Sequence, residues 1–320
     1  MDLSIVIPIY NEEENIPLLY GEIKEALSHF DRQYEIIFVD DGSTDRSVKL
    51  LEGLQQKDEQ VVVVAFRKNF GQTAAMSAGF DYAQGDICVT MDGDLQNDPH
   101  DIPALIEKVD EGYDVVTGWR FDRKDPYLSR KLPSQMANRL ISWITGVKLH
   151  DYGCTLKAFR KEVASNIRLY GEMHRFIPAI ASGMGISFTE IKVNHRARQF
   201  GTSKYGISRT IRVVLDLITV KFLLSYATRP LHVFGGVGFI SSSLGFIMAL
   251  VMTFQRQFFG VPLGSRPLLL LSILLIFIGI QFITIGLVAE LVVRTYHESQ
   301  SKPIYHVRKV LGRDEGQVKG

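Results

Sequence analysis

Several features that are common in other protein classes are missing from this chain of 320 residues. It has two cysteines, Cys88 and Cys154, which are too few for a disulfide framework, suit a reducing compartment and lack the spacing of a zinc site. It has no excess of one charge, since 36 Lys and Arg face 35 Asp and Glu, for a net charge of +1. No global basic field attracts nucleic acid, so we expect no nucleic-acid partner.

The N-terminus lacks the features of a signal peptide. Asp2 stands where such peptides carry positive charge, and the apolar run Leu3–Ile9 is short and interrupted by Pro8. We therefore expect residues 1–200 to form a cytoplasmic domain.

Charged residues are missing from two long segments, Leu231–Phe254 and Pro267–Ala289. Each exceeds the roughly 20 apolar residues that span a bilayer, which excludes a wholly soluble protein. Basic residues lie on both flanks of the pair, at Arg209, Arg212, Lys221, Arg229, Arg294, Lys302, Arg308, Lys309 and Arg313. The sequence therefore predicts an integral membrane protein with both termini in the cytoplasm and the hairpin loop outside.

The chain is accordingly divided into four parts. We expect a catalytic domain at 1–200, a loop and juxtamembrane helix at 201–230, two membrane helices within 231–293 (231–254 and 267–293), and a cytoplasmic tail at 294–320. Within the second part, Ile207–Leu224 mixes apolar and basic residues, which is typical of an interfacial helix. A buried helix of a soluble domain is the alternative.

The first part alternates short β-branched runs with helical patterns. Predicted strands are Leu3–Ile9, Tyr34–Val39, Val61–Phe66, Ile87–Met91, Val115–Thr117 and Ser187–Val193. Predicted helices are Glu13–Phe30, Ser47–Leu54 (with Ser43 or Thr44 as its cap), Thr73–Ala83 and Ser129–Ile144. This alternation indicates an α/β fold with a doubly wound, mostly parallel sheet, in which ligands bind beyond the carboxyl ends of the strands.

Acidic residues cluster where predicted strands end. Asp92 and Asp94 directly follow one strand, and the sequence continues to Gln96. Magnesium usually binds one or two protein carboxylates together with water and phosphate oxygens, and Asp94 with the Gln96 carbonyl could supply such a site. The alternative is a solvated turn, because Asp and Gly are common turn residues.

A second acidic pair, Asp40 and Asp41, ends another predicted strand. Helix capping by the next residues does not account for both carboxylates, because adjacent carboxylates repel unless each has a donor or a cation. A nucleobase imide or a ribose hydroxyl is a suitable donor. The first strand ends beside Tyr10, whose ring could stack on a nucleobase. Three strand ends thus indicate a nucleotide site.

These segments resemble glycosyltransferase family 2, whose members have a GT-A fold and transfer sugars from nucleotide donors. The resemblance rests on Ile5–Glu12, Val39–Asp45 and Asp92–Gln96. The later segments Arg67–Gln72, Asp151–Cys154 and Arg198–Tyr205, followed by two spans, are similar to polyprenyl-phosphate glycosyltransferases. The similar types are bactoprenol glucosyltransferases, dolichyl-phosphate mannose synthases and their aminoarabinose-transferring relatives.

The resemblance implies roles for individual residues. The donor would be bound by Pro8, Tyr10, Glu12, Asp41, Lys68, Gly71 and Asp92. Asp94 and Gln96 would bind a divalent cation, Mg²⁺ or Mn²⁺. The acceptor phosphate would be held by Arg120, Arg130, Ser134, Arg198, Ser203 and Lys204. Asp92, Asp94 and Asp151 would be the catalytic carboxylates, with Asp151 near the acceptor as a base or as a positioning group.

The chemistry of the expected acceptor fits this division. A phosphate monoester is largely ionised near neutral pH, so it requires cations to dock it more than a general base, and arginine suits this task. The alternative is that these arginines are solvated or attract anionic lipids.

We therefore expect inverting transfer of a hexose, glucose first, from a UDP-sugar to undecaprenyl phosphate in the bacterial inner membrane. The product would serve surface glycan modification. GDP-mannose or UDP-formamido-arabinose is the alternative donor. A processive synthase or a non-enzymatic membrane subunit would be a different class. Self-association through small residues in the spans is also expected.

Overall fold

The computed structural model describes residues 1–121, 138–139, 141–142, 147–167, 177, 185–197, 230–260, 262, 267–299 and 305–312. The chain divides into two compact units. The sheet unit comprises Met1–Val220 and Lys302–Gly320, and the hairpin unit comprises Lys221–Ser301.

Within the described residues, the sheet unit contains one sheet of eight strands. The strands are β1 (Leu3–Ile9), β2 (Tyr34–Asp40), β3 (Val61–Phe66), β4 (Ile87–Thr90), β5 (Val115–Trp119), β6 (Lys157–Arg160), β7 (Phe188–Lys192) and β8 (Val307–Leu311), in the spatial order β7-β5-β6-β4-β1-β2-β3-β8. Pairing is parallel for β1 with β2 and β4, for β2 with β3 and for β5 with β7. The predicted mostly parallel, doubly wound sheet is confirmed.

Helices lie between the strands, and the first three of them correspond to helices predicted from the sequence. They are α1 (Ile16–Ala26), α2 (Ser47–Gln55), α3 (Gln72–Tyr82), a 3₁₀ turn at Pro99–Asp101, α4 (Ile102–Asp110) and α5 (Lys161–Asn166). Helix α4 shows the packing clearly, because its buried residues Ile102, Leu105, Ile106 and Val109 recur at the spacing of one helical face. Strands β2 and β3 are buried along their whole length, as expected for strands covered on both faces.

Two strands were not predicted from the sequence. Strand β6 has four residues with a charged residue at each end, so it shows no alternating pattern. Strand β8 pairs antiparallel with β3 and lies within the segment 294–320 that was expected to be a tail. An edge strand needs only one row of backbone partners, and Val307, Val310 and Leu311 give too short an apolar run to predict it.

Two details of the helix predictions were wrong. Helix α1 begins only at Ile16 and ends at Ala26, so it is shorter than Glu13–Phe30. Helix α2 begins at Ser47, whose N–H donates to Asp45 Oδ1 at 2.9 Å, so neither Ser43 nor Thr44 is its cap. The predicted helix Ile207–Leu224 lies outside the described residues, as does Ser129–Ile144 except for 138, 139, 141 and 142, which are helical.

The hairpin unit contains two long apolar helices, α6 (Pro230–Phe259) and α7 (Pro267–Ser299). Stretches of 26 and 23 residues in them, Phe234–Phe259 and Pro267–Ala289, are long and apolar enough to cross a membrane. Their large side chains are mostly exposed, with Phe239 at 69% and Leu270 at 73%. The core helix of a soluble protein would bury such side chains, so these helices suit a lipid environment.

Small residues let the two helices of the hairpin approach closely. A Cβ at Gly245 would lie 2.6 Å from the Ser272 carbonyl oxygen, and Ser241 Oγ donates to the Leu275 carbonyl at 3.0 Å. Close backbone approach at small residues is the usual mode of helix packing in membranes. The small residues that were expected to promote self-association therefore make contacts inside the hairpin.

We expect Gly279→Ala to destabilise the hairpin, because the added Cβ would overlap the Gly238 carbonyl oxygen and Ser242 Oγ. Overpacking of this kind costs about 1–3 kcal/mol, which thermal denaturation of the protein in detergent micelles would register as a lower Tm. The matched control is Gly236→Ala, where a Cβ meets no atom within 4 Å. Equal Tm values for the two variants would contradict the packing argument.

Candidate active site

The candidate site lies at the carboxyl edge of the central strands. Strand β1 pairs in parallel with β2 and β4, with Ile9 opposite Asp40 and Val6 opposite Thr90. The segments that follow these three strands therefore emerge at the same edge. The segment after β1 carries Tyr10 and Glu12, the segment after β2 carries Asp41, and the segment after β4 carries Asp92 and Asp94. From the sequence we expected these segments to lie together, and in the structure they lie at one edge of the sheet.

Two glycines allow the connecting segments to pack tightly at this edge. A Cβ at Gly93 would lie 2.6 Å from Ile9 Cδ1, so the segment after β4 contacts the end of β1. Gly42 has φ +71°, and a Cβ there would lie 2.7 Å from the Asn69 backbone nitrogen. A side chain at position 42 would therefore clash with the backbone of Lys68 and Asn69, whereas at position 93 the end of the Ile9 side chain would have to move.

Hydrogen bonds join the segment after β1 to the segment after β2. The Asn11 N–H donates to Ser43 Oγ at 2.9 Å, and the Thr44 N–H donates to Asn11 Oδ1 at 2.8 Å. Asn11 adopts φ +53° to make this turn. Glu12 is anchored as well, because its N–H donates to Ser47 Oγ at 3.0 Å. Ser43 and Thr44 thus fix the turn at Asn11, between Tyr10 and Glu12, and Pro8 lies just before it within β1.

Asp41 is buried and binds the segment that follows β3. Its Oδ1 accepts from the Phe70 N–H at 2.6 Å, and its Oδ2 accepts from the Gly71 N–H at 2.9 Å. Burial raises the pKa of Asp41 to about 6, and the two N–H groups oppose that rise. Lys68 is exposed beside it, with Nζ 5.2 Å from the centre of the Phe70 ring. The three predicted donor residues Asp41, Lys68 and Gly71 are therefore neighbours.

Asp92 is held by hydrogen bonds on both carboxylate oxygens. Oδ1 accepts from Gln72 Nε2 at 2.8 Å, and Oδ2 accepts from Thr155 Oγ1 at 2.7 Å. Burial and the charge of Asp94 together raise the pKa of Asp92 to about 6, and the hydrogen bond from Thr155 opposes that rise. Asp92 thus has a fixed orientation and lies within electrostatic reach of Asp94.

Asp94 and Gln96 are linked directly. The Gln96 N–H donates to Asp94 Oδ1 at 3.2 Å, and Leu95 between them adopts φ +61°. Asp94 is 7% exposed, so its carboxylate is buried at the edge of the site. The Gln96 carbonyl accepts from the Arg196 N–H at 3.0 Å, which leaves one lone pair of that oxygen for another ligand.

These residues fit a divalent cation that takes most of its ligands from elsewhere. Within the part of the chain that the structure describes, no group of three or more His, Cys, Asp or Glu side chains could hold a metal alone. Asp94 with the Gln96 carbonyl offers the small set of oxygens that Mg²⁺ typically takes from a protein, beside phosphate oxygens and water. The repulsion between Asp92 and Asp94 is a second feature that a cation would relieve.

Arg120 forms a bidentate ion pair with Asp151, which the sequence did not predict. Arg120 Nε lies 2.7 Å from Asp151 Oδ2, and Nη2 lies 2.9 Å from Oδ1. Both side chains are largely buried, at 15% and 5% exposure. The Asp151 carboxylate raises the pKa of Arg120 above its ordinary value despite this burial. The predicted acceptor ligand Arg120 therefore already has a strong partner in this site.

Sequence reasoning missed three further residues of the site. Gln72 and Thr155 orient Asp92, and Lys157 is a buried cation whose Nζ donates to the Cys154 carbonyl. Burial lowers the pKa of Lys157, and the nearby carboxylates Asp151 and Asp92 oppose this. Lys157 begins β6 and Thr155 lies two residues before it, so predicting that strand antiparallel to β4 would have revealed both.

Among the described residues, the cations Arg120 and Lys157 lie within electrostatic reach of the Asp92 and Asp151 carboxylates. The predicted acceptor residues Arg130, Ser134, Arg198, Ser203 and Lys204 lie outside the described residues.

Comparisons with known proteins agree with this fold. The family model described as glycosyl transferase family 2 matches residues 4–168. Dodecaprenyl-phosphate galacturonate synthase from Rhizobium johnstonii is 44% identical over 315 residues, which cover 97% of this chain and 93% of the relative. Undecaprenyl-phosphate 4-deoxy-4-formamido-L-arabinose transferase from Klebsiella pneumoniae is 39% identical, with 98% of this chain and 94% of the relative covered.

Among solved structures, the chain is similar to glucosyl-3-phosphoglycerate synthase from Mycobacterium tuberculosis in complex with Mn²⁺, uridine diphosphate and phosphoglyceric acid. The TM-score is 0.54 at 17% identity, over 70% of this chain and 78% of that one. At this sequence identity the structural similarity supports a statement about the fold alone. The expected GT-A fold is thereby confirmed.

Proposed function

This chain belongs to glycosyltransferase family 2, and from that premise we propose that it transfers a sugar from a nucleotide donor to polyprenyl phosphate at the cytoplasmic membrane face. The observation that carries the proposal is the meeting of Asp41, Asp92 and Asp94 at one sheet edge in a chain that also has a two-helix apolar hairpin. The similarity along the whole chain to two polyprenyl-phosphate sugar transferases supports it.

The donor would lie across the ends of β1, β2 and β4. The Tyr10 ring is half-buried at the end of β1, where a nucleobase could stack on it. Asp41 would accept a hydrogen bond from the base or the ribose, with Lys68 and Gly71 bordering the same pocket. Asp94 and the Gln96 carbonyl would hold a divalent cation, which when bound stabilises the negative charge of the diphosphate leaving group as a Lewis acid.

Asp92 would orient the sugar of the donor. Gln72 and Thr155 fix both of its carboxylate oxygens, so its remaining lone pairs point in defined directions toward sugar hydroxyls. Pre-organised hydrogen bonds of this kind lower the barrier because they cost no reorganisation during the reaction. The same carboxylate would stabilise the positive charge that develops on the sugar as the bond to the leaving group breaks.

The acceptor phosphate would attack the anomeric carbon from the opposite face. It is largely ionised at neutral pH, so no base has to remove a proton from it. Arg120, held in a fixed orientation by Asp151, would direct its remaining N–H groups at the phosphate. Arg130, Ser134, Arg198, Ser203 and Lys204 complete the proposed acceptor set. Attack on an α-linked donor inverts the configuration and gives a β-linked product.

The transferred sugar is proposed from the relatives. Their names specify galacturonate and 4-deoxy-4-formamido-L-arabinose. We propose galacturonate as the first candidate and the formamido sugar, one of the donors expected from the sequence, as the second, in each case linked to UDP. Transfer of glucose or of mannose stays a prediction, because the two polyprenyl-phosphate relatives are named for other sugars.

The connectivity of the chain supports a cytoplasmic location of both termini. Strand β8 follows the hairpin in the sequence and pairs with β3, which precedes it. If α6 and α7 each cross the membrane once, the chain returns to the side that it left, as this pairing requires. The basic flanks favour the cytoplasm for that side, and the inner membrane of a bacterium is the proposed location.

A donor panel with the full-length protein in nanodiscs tests the proposal. Purified protein is incubated with undecaprenyl phosphate, Mg²⁺ or Mn²⁺, and UDP-galacturonate, UDP-4-deoxy-4-formamido-arabinose, UDP-glucose or GDP-mannose. We expect a lipid-linked monosaccharide with the first or second donor, identified by mass spectrometry of the lipid extract. Products with several sugars would instead indicate a processive synthase, and absence of product with every donor would contradict the proposal.

A further inference from the structure

The segment that follows the hairpin returns to the sheet next to the donor side of the site. Strand β8 pairs antiparallel with β3 along Val63–Phe66, and the Arg67 N–H donates to the His306 carbonyl at 3.2 Å. Gly312 closes the strand with φ +83°, where a Cβ would lie 2.8 Å from the Val61 carbonyl oxygen. This backbone pairing brings Tyr305 and His306 to the start of the segment 67–71, which we call the donor loop.

Tyr305 is fixed on two sides. Its ring stacks on Phe66 with centroids 5.1 Å apart and planes inclined by 15°. Its hydroxyl donates to Asp81 Oδ2 of α3 at 2.9 Å, and the side chain is buried. Burial and the Asp81 carboxylate both raise the pKa of Tyr305, so the hydroxyl keeps the proton that it donates.

The contacts continue from Tyr305 into the donor loop. The Phe66 ring lies edge-on to the Phe70 ring at 5.7 Å, and the His306 ring lies 5.9 Å from the same Phe70 ring. Phe70 is the residue whose N–H donates to Asp41, and Lys68 Nζ lies over its ring. Two aromatic contacts therefore connect the segment after the hairpin to the two charged residues proposed to bind the nucleotide.

We propose that Tyr305 and His306 are positioning residues for nucleotide binding: they hold Phe70, and through it the donor loop, in the conformation that orients Asp41 and Lys68. This inference rests on the proposed function, because it takes Asp41 and Lys68 as donor ligands. The chain beyond the membrane hairpin is then part of the donor site. Removal of these two side chains weakens nucleotide binding without affecting the lipid acceptor.

Hydrogen–deuterium exchange and UDP binding test the proposal on the full-length protein in nanodiscs. In Tyr305→Ala we expect faster amide exchange in peptides covering Phe70 and Gly71, whose N–H groups bind Asp41, in the absence of any nucleotide. The Kd for UDP with Mn²⁺, measured by calorimetry, should rise roughly tenfold, the size expected for loss of one aromatic pair. The KM for undecaprenyl phosphate should stay within twofold.

Three further variants separate positioning from general stability. His306→Ala, at an exposed side chain, should raise the Kd for UDP about threefold, as loss of the weaker of the two aromatic contacts predicts. It also keeps the test valid if Tyr305→Ala fails to fold. Tyr305→Phe, which keeps the stack on Phe66, should recover most of the affinity. Lys309→Ala removes the 3.1 Å contact of β8 with Glu52 but touches no residue of the donor loop, and should leave the Kd for UDP unchanged.

The results that overturn the inference are distinct from those that overturn the proposed function. Unchanged exchange of the donor loop in Tyr305→Ala and His306→Ala would overturn the inference. So would an equal rise of the KM values for donor and lipid, or the same loss of UDP affinity in Lys309→Ala. Failure of the wild-type protein to bind UDP or to form a sugar lipid would instead contradict the proposed function, whereas the exchange measurement does not depend on either activity.

Discussion

Replacing Asp94 by Asn should lower the rate of sugar transfer about 10³-fold, equivalent to a loss of about 4 kcal/mol of transition-state stabilisation. Asp94 lies in the segment after β4, and its buried carboxylate accepts a hydrogen bond from the Gln96 N–H. The amide of Asn keeps the size of the side chain but removes the charge that a divalent cation requires. The diphosphate would then leave without a neutralising cation.

Metal-dependent nucleotide binding gives the most direct measurement. In the wild type, EDTA should raise the Kd for UDP, whereas the Kd of Asp94→Asn should be the same with Mn²⁺ and with EDTA. Asp110→Asn is the matched control, since Asp110 pairs with Arg32 at 2.6 Å on the surface and should keep full activity. Wild-type turnover in Asp94→Asn would contradict the assignment of the cation site.

The site residues that could be predicted from the sequence are those that follow the ends of the strands. Strands β1 and β3 have the predicted bounds, because continuous β-branched runs bounded by turn residues identify buried parallel strands. Parallel pairing then places Tyr10, Asp41 and Asp92 at one edge regardless of the side-chain detail. Local pattern and topology are sufficient for that conclusion.

The contacts between these segments could not be predicted in the same way. Asp41 bonds to backbone N–H groups 29 and 30 residues away, and backbone donors leave no trace in the residue types. Arg120 and Asp151 are 31 residues apart, and Arg120 directly follows β5, which pairs with the antiparallel strand β6. Because β6 and β8 could not be predicted from the sequence, the residues that those strands place near the site could not be predicted either.

The ion pair of Arg120 and Asp151 changes what was expected of both residues. From the sequence we expected Arg120 to bind the acceptor phosphate and Asp151 to act as a base or a positioning group. The Asp151 carboxylate accepts two bonds from the Arg120 guanidinium, one from the Arg120 backbone N–H at 3.4 Å and one from the Gly153 N–H at 3.0 Å. A carboxylate engaged in this way is a weak base, so positioning of Arg120 is the role that its contacts favour.

Removing one partner of this pair should have a large effect on stability. In Asp151→Asn, Arg120 remains charged and largely buried, and an uncompensated buried charge costs about 3–5 kcal/mol. We expect the Tm of the protein in detergent, followed by differential scanning fluorimetry, to fall by about 10 °C, since 1 kcal/mol corresponds to about 2–4 °C for a domain of this size. A Tm within 2 °C of the wild type would show that the pair is not buried as described.

Replacing both partners separates stability from reaction. A buried ion pair can often be exchanged for apolar residues of similar volume without loss of stability, so Arg120→Met with Asp151→Leu should recover most of the Tm. Sugar transfer should nevertheless remain about 10²-fold below the wild type, because no guanidinium group is left at this position to dock the phosphate. The KM for undecaprenyl phosphate should rise while the Kd for UDP stays near its wild-type value. If the double variant regained activity together with stability, the pair would serve the fold alone, and the acceptor phosphate would bind elsewhere in the site.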